Sequence, residues 1–312
     1  MKTYPRVLTI AGSDSGGGAG IQADIKAISA TGSYAASAIT AVTVQNTLGV
    51  LGVHPVPPEC IAAQIGCVLS DIGADAIKIG MLHSAAVVLC VRDTLVRAAG
   101  ERLAAAPAAA GAAATWAAAT ATPAAAGAEN AGAAACNGVA NIVLDPVMVS
   151  TSGHRLIEES AIEVLCSELI PMARVITPNI PEAEILAGVS VSSQADLKPL
   201  ARKLSLIASA GGTRGRVSVL MKAGHLTNGE LTDVFYNAEA DTFLELPSPR
   251  ISTPNTHGTG CTLSSAFASY LAQGYGLDDA ARAAKEYITR AIESGALYSI
   301  GHGHGPVNHF WK

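Results

Sequence analysis

The chain has 312 residues, 49% of them hydrophobic, enough for the core of one large α/β domain or two small ones. A net charge of −5 without a basic tract, and only 4% aromatic residues, argue against nucleic acid and against a membrane surface as partners. The chain runs straight into a strand-like segment, so no signal peptide is expected, and its six cysteines form no C-x-x-C pair, so reduced thiols in a cytoplasmic setting are expected.

Short β-like runs then alternate with helix-like runs. Val7–Ala11 reads as a buried strand, Ala19–Ala30 as a helix closed by Gly32, and Ala38–Val44 as a second strand. Pro58–Val68 reads as a helix, Ala76–Gly80 as a strand and Ser84–Arg97 as a helix. Asn141–Asp145 is a strand ending in an acid, Ser160–Leu169 a helix and Ala173–Thr177 a strand. Ala195–Ala210 is a helix and Val217–Met221 a strand. This alternation predicts an α/β fold, with a central mostly parallel sheet flanked by helices on both faces. Asp233–Tyr236 and Thr242–Leu246 predict a small antiparallel edge, and helices are expected at 261–273 and 278–294.

Between Ala98 and Ala135 there are 23 alanines in 38 residues, interrupted by Pro107, Gly111, Pro123, Gly127 and Gly132. Alanine favours helix, but so few large side chains leave little to pack. Residues 98–138 are expected to form a low-complexity surface insertion within a single domain spanning 1–312.

Chemistry-bearing residues follow the predicted strand ends, where open α/β sheets bind ligands. Asn255-Thr256-His257-Gly258-Thr259-Gly260-Cys261 leads into a helix. Its glycines allow backbone N–H groups to converge at a helix N-terminus, which attracts anions. The same position is expected to lower the Cys261 thiol pKa. A plain glycine turn before a buried helix explains this stretch equally well.

Gly12-Ser13-Asp14-Ser15-Gly16-Gly17-Gly18-Ala19-Gly20, running on to Asp24, has neither P-loop nor dinucleotide-fold spacing. It offers close backbone approach, with Asp14 and Asp24 either accepting from a ligand or capping a turn. Gln45 carries a donor and an acceptor suited to a heterocycle edge, or to loop backbone. Asp145 and Glu182 sit at successive strand ends and suit Mg²⁺, with a solvated pair as the alternative. Lys222, just past a strand, suits a transferring phosphate or plain exposure to water. His302 and His304 lack companion acids at ligand spacing, which favours a turn.

In this order the elements resemble hydroxymethylpyrimidine/phosphomethylpyrimidine kinases of the ribokinase-like superfamily. The stretches that carry the resemblance are Ala11–Asp24, Gln45-Asn46-Thr47, Lys78–Leu82, Asp145–Met148, Thr177–Ala183, Asn255–Thr262 and Gly303–Phe310. The resemblance covers nearly the whole chain apart from the alanine-rich insertion. The resemblance implies ATP-dependent phosphorylation of 4-amino-5-hydroxymethyl-2-methylpyrimidine, then of its monophosphate, in thiamine biosynthesis. It assigns the heterocycle to Gln45, Gly12, Asp24, Met81 and Val147, and Mg²⁺ to Asp145 and Glu182. Asn179 and Lys222 would meet the ATP phosphates, Gly258, Thr259 and Gly260 would form the anion hole, and Cys261 would stand where most of the superfamily has an aspartate base. Thr43 sits near a pocket position that is often apolar in the family. The resemblance further implies a homodimer. Pyridoxal kinase is the neighbouring activity, and a non-catalytic vitamin-precursor binder is the reading from another class.

Overall fold

The computed structural model describes residues 4–104, 141–149, 156–210, 215–226 and 230–311. The elements run β1 (Arg6–Asp14), α1 (Gly20–Ala30), β2 (Tyr34–Asn46), β3 (Gly49–Pro55), α2 (Pro58–Asp71), β4 (Ala76–Ile79) and α3 (Ala85–Ala104). Then come β5 (Ile142–Leu144), α4 (Glu159–Val164), β6 (Val175–Ile176), α5 (Ile180–Ala187), α6 (Leu197–Ser209) and β7 (Ser218–Met221). The chain finishes with β8 (Glu230–Asn237), β9 (Thr242–Pro249), α7 (Thr259–Ala272) and α8 (Leu277–Gly295).

The strands form one nine-stranded sheet in the order β3-β2-β1-β4-β5-β6-β7-β8-β9. From β2 to β7 all neighbours are parallel, while β3 and the β8–β9 hairpin pair antiparallel at the two edges. Every residue of β4, β5, β6 and β7 is buried. Helices cover both faces, so these strands have no solvated side and read as apolar runs broken only by Lys78 and Ser218.

Alternate strand residues feed two cores. Leu8, Ile10, Ile77, Ile79 and Leu144 pack on one face with Ile61 and Ile65 of α2, Val88 and Leu95 of α3 and Leu204 of α6. Val7, Ala76, Val143 and Leu220 pack on the other with Ile28 of α1, Leu263 and Phe267 of α7 and Ile288 of α8.

The chain leaves β1 for β2 on one side, then crosses back to place β4 on the other. The strand order therefore reverses at β1, and the crevice beyond the C-terminal ends of β1 and β4 is the geometrically favoured ligand site.

Two elements go beyond the expectation. β3 was not anticipated, and it makes the antiparallel edge two-sided. α5 begins inside the stretch read only as a site motif. In addition, α3 runs on to Ala104, so the first seven residues of the expected 98–138 insertion continue a helix, and its residues 105–138 lie outside the described residues.

Candidate active site

A cavity of about 680 Å³ opens at this crevice. It is lined by Gly12, Gln45, Met81, Asp145, Val147, Asn179, Glu182, Lys222, Gly258, Thr259, Gly260 and Cys261, brought together from six strand ends and the start of α7. Asp24 is the one expected site residue that does not line it.

Two glycine loops form its floor. Asp14, the last residue of β1, accepts N–H groups from Gly16 at 2.8 Å, Gly18 at 3.0 Å and Ala19 at 2.8 Å. His257 Nε2 completes the set, 2.9 Å from Asp14 Oδ2. Burial raises the Asp14 carboxyl, but His257 and these N–H groups outweigh it and hold it below its ordinary value. Asp14 is thus consumed in shaping the loop, and through His257 it ties the first loop to the second. The tie is tight. Gly258 has φ +79°, and a Cβ there would lie 1.8 Å from Gly18 O.

α7 starts at Thr259, so its first-turn N–H groups lack intrahelical partners beside the cavity. Gly260 faces the charges, where a Cβ would lie 3.2 Å from Lys222 Nζ and 3.4 Å from Asp145 Oδ2. Cys261 corrects one expectation. Its thiol is pushed up to about 11 by burial, with Asp24 and Asp145 adding to the rise, while Lys78 and the Gly20 N–H pull the other way. Desolvation therefore decides the direction, against the lowering expected from a helix N-terminus.

Behind the loop lies a charge cluster. Lys222 Nζ is 2.8 Å from Asp145 Oδ1 and 3.8 Å from Glu182 Oε2. Thr177 Oγ1 also donates to Asp145 Oδ1, at 2.9 Å. Burial works against the Lys222 charge, but the two carboxylates keep its pKa raised. Glu182 is pushed up to about 7, mainly by burial and also by Asp145, against the pull of Lys222.

Asn179 and Glu182 have a second task. Asn179 N donates to Glu182 Oε2 and Glu182 N to Asn179 Oδ1, both at 2.9 Å, forming the capping box that starts α5. The Asn179 side-chain oxygen is therefore committed to the helix, and its amide nitrogen is the group left for a ligand.

Asp24 is a correction in kind. It is fully buried, and its carboxylate receives Lys78 Nζ on both oxygens at 2.9 Å, Thr9 Oγ1 at 2.6 Å and Ser265 Oγ at 2.7 Å. It supports the floor from beneath and does not meet a ligand. Lys78, equally buried, is its counter-ion; burial opposes its charge, but Asp24, together with Cys261 and Asp145, outweighs burial and keeps the Lys78 pKa raised. Neither Lys78 nor the His257–Asp14 bridge was singled out from sequence, although His257 stands beside the glycines of the loop motif. His302, Gly303 and His304 turn their backbone N–H groups onto Thr47.

The cavity has a second, drier half. Met81 and Val147 line it near Gly12, where a Cβ would sit 3.1 Å from Met81 Sδ. Leu231, Ile251, Leu263, Ile288 and Ile292 extend it on the side of α7 and α8, where Lys285 pairs with Asp233 at 2.7 Å. An apolar slot with converging polar groups at one end suits a flat heterocycle, and the remainder has room for a nucleotide.

The model of the family described as phosphomethylpyrimidine kinase matches residues 14–111 and 128–308. The gap between falls inside the alanine-rich stretch. The chain is 42% identical over 308 residues to the thiamine biosynthesis bifunctional protein ThiED of Geobacter sulfurreducens, covering 98% of this chain and 53% of that protein, so it spans about half its length. It is 41% identical to the hydroxymethylpyrimidine/phosphomethylpyrimidine kinase of Rhizobium meliloti, covering 98% of both.

Among solved structures, an ADP complex of Bacillus subtilis pyridoxal kinase aligns with TM-score 0.76 at 30% identity, covering 98% of each chain. The phosphomethylpyrimidine kinase of Clostridium difficile aligns with TM-score 0.68 at 36% identity, covering 92% of this chain and 99% of that one. The fold is thus the ribokinase-like α/β arrangement that the strand and helix alternation anticipated. With its sequence matched from Asp14 to Asn308 and the same fold underneath, the chain belongs to the phosphomethylpyrimidine kinase family.

Proposed function

We propose that this chain transfers phosphate from ATP to 4-amino-5-hydroxymethyl-2-methylpyrimidine, and then to its monophosphate, in thiamine biosynthesis. The observation that carries the reading is the convergence, in one cavity, of a heterocycle-sized apolar slot, a helix-terminal anion hole and Lys222. Gln45, Gly12, Met81 and Val147 hold the ring. Asn179 and Lys222 meet the ATP phosphates. The hydroxymethyl oxygen attacks the γ-phosphorus while the bond from phosphorus to the ADP oxygen breaks. Its proton passes to the Cys261 sulfur in its thiolate form. The N–H groups of residues 258–260 and the Lys222 ammonium stabilise charge on the equatorial oxygens.

Because burial pushes the thiol up to about 11, only a small fraction is thiolate at neutral pH. Positioning therefore contributes more than base strength, as a loose phosphoryl transition state allows. The residues fit Mg²⁺: Asp145 Oδ1 is taken by Lys222 and Thr177, Oδ2 faces Gly260, and Glu182 lies beside it. Among the described residues no cluster of three metal-ligating side chains exists, so water and phosphate oxygens would complete the shell. When bound, Mg²⁺ supplies charge neutralisation on the phosphate oxygens.

The wider reading is a single domain of 312 residues carrying the insertion at 98–138, cytoplasmic and homodimeric. Val42, Val44, Leu48 and Leu51, exposed on β2 and β3 and the turn between them, support a second copy as the partner there.

Product analysis after incubation with ATP, Mg²⁺ and the pyrimidine tests the reading. Mono- and diphosphate are expected, and Cys261→Ala is expected to lose turnover by at least tenfold while still binding substrate. Absence of either phosphate under every metal condition sinks the proposal. The likeness to pyridoxal kinases makes pyridoxal the competing substrate, and the ratio of kcat/KM values decides between the two.

A further inference from the structure

Gln45 stands at the end of β2 with its backbone clamped. Its N–H donates to Ser15 Oγ at 2.9 Å, and Ser15 Oγ donates back to Gln45 O at 2.8 Å. Only the side-chain amide can turn, and its two ends face different neighbours. One end lies 3.0 Å from Thr43 Oγ1 and the other 3.2 Å from His257 Nε2.

Consider first the amide with its oxygen toward Thr43 and its nitrogen toward His257. The Thr43 hydroxyl has one proton, yet two acceptors stand at 3.0 Å, Ser13 O and Gln45 Oε1. His257 Nε2 is 2.9 Å from the Asp14 carboxylate, which already gathers three backbone N–H groups as an anion. A ring nitrogen facing a carboxylate carries its proton, so it cannot also accept from the Gln45 N–H. Both ends of the amide are mismatched.

Turning the amide by half a revolution removes both conflicts at once. Thr43 then donates to Ser13 O and accepts from Gln45 Nε2. His257 Nε2–H serves Asp14 and also faces Gln45 Oε1. One N–H and one lone pair of the amide remain for a ligand, in a fixed order.

We propose that Gln45 is locked with Oε1 toward His257 and Nε2 toward Thr43, making His257 and Thr43 specificity-determining residues. The lock selects a heterocycle that offers a donor beside its hydroxymethyl group and an acceptor at the next ring atom. This deepens, and rests on, the kinase reading above. The order follows from place. His257 adjoins Gly258, so Oε1 lies on the anion-hole side, toward which the hydroxymethyl group must point. The substituent next to that group meets Oε1 and has to donate. The following ring atom meets Nε2–H and has to accept. A 4-amino group with N3 satisfies both, whereas a 4-oxo ring with a protonated N3 reverses both.

The test compares the 4-aminopyrimidine with its 4-oxo analogue, by kcat/KM and by calorimetric Kd without ATP. The proteins are wild type, Thr43→Val, His257→Leu and His257→Gln. Wild type should favour the amino compound by on the order of 10⁴-fold, because reversing polarity leaves buried groups unpaired. Thr43→Val removes the acceptor that holds Nε2, and should shrink the ratio at least tenfold through better binding of the oxo analogue. His257→Leu should do the same, and His257→Gln, which keeps an N–H at similar reach, should restore most of the ratio. A ratio unchanged in Thr43→Val and His257→Leu, with only kcat lowered, overturns the proposal. If wild type phosphorylates neither compound the kinase reading fails, and the ATP-free binding ratio still decides the orientation of Gln45. Wild type binding both compounds equally, or neither, overturns the lock.

Discussion

Gly258→Ala tests whether the contact between the two glycine loops fixes the anion hole. Gly258 has φ +79°, and holding an alanine there costs about 1–2 kcal/mol. Its new Cβ would meet Gly18 O at 1.8 Å, against an ordinary carbon–oxygen contact of about 3.3 Å, so the loops must part by roughly 1.5 Å. Both partners are backbone, so no side chain can swing aside. Overpacking of this kind adds about 1–3 kcal/mol, for a total loss of roughly 2–5 kcal/mol of stability.

The displacement falls on the residues that would stabilise the transferring phosphoryl group. A shift of about 1 Å in such a group costs on the order of 100-fold in rate, or roughly 2.7 kcal/mol in the barrier. Coupled measurement of ADP release gives kcat, and calorimetry gives Tm. Gly66→Ala is the control. Gly66 lies inside α2 with open space around it, and alanine there should stabilise by about 0.5–1 kcal/mol without touching kcat. If Gly258→Ala keeps kcat within threefold of wild type, the loop contact does not set the geometry of the anion hole and the reasoning fails.

Two further predictions concern protons. His309 is buried against Thr262 Oγ1, and burial, helped by Lys26, pushes its pKa down to about 4. Between about pH 6.5 and 4 the unfolded chain binds a proton that the folded chain excludes. This stability is therefore present above pH 6.5 and lost as pH falls, by up to about 3 kcal/mol. Urea titrations from pH 7 to 4.5 should show a shallower loss in His309→Gln than in wild type, and parallel losses refute the assignment. Cys261, pushed up to about 11, should be alkylated by iodoacetamide at a rate that climbs about tenfold per pH unit from 7 to 9. Peptide mass spectrometry separates it from the other cysteines, and a plateau near pH 8 would mean that the helix terminus outweighs burial.

The fold was legible where burial is two-sided. β4 to β7 are buried from end to end because helices cover them, and apart from Lys78 and Ser218 they read as apolar runs in the sequence without context. β3 was invisible for the opposite reason. It is an edge strand carrying Gly49, Gly52 and Pro55, with no buried residue to mark a period. α5 hid inside a motif, because Asn179 and Glu182 carry a capping box in the same letters that suggest a phosphate and metal site. Most of the cavity lining was legible because a polar residue directly after a buried strand in such a sheet has one place to go, the crevice beyond the strand ends.

Direction and burial were not legible, and Asp24 and Cys261 show why. An acid four residues into a helix that follows a glycine loop looks like a ligand group. Whether it faces the cavity or the sheet depends on Lys78, 54 positions later, and on Ser265, 241 positions later. Nothing local encodes either partner. The consequence reaches the chemistry. A fully buried ion pair is weak evidence for stability, since desolvation offsets its attraction. Ser265 lies one helical turn beyond Cys261 on α7, so the serine that grips Asp24 sits under the thiol. Lys78 lowers the thiol pKa from below while Asp24 raises it, and burial exceeds both. The glycine loop alone suggests an activated thiol, whereas the full environment describes a neutral one held in place, with the positive charge for phosphoryl transfer supplied by Lys222 on the other side of Gly260.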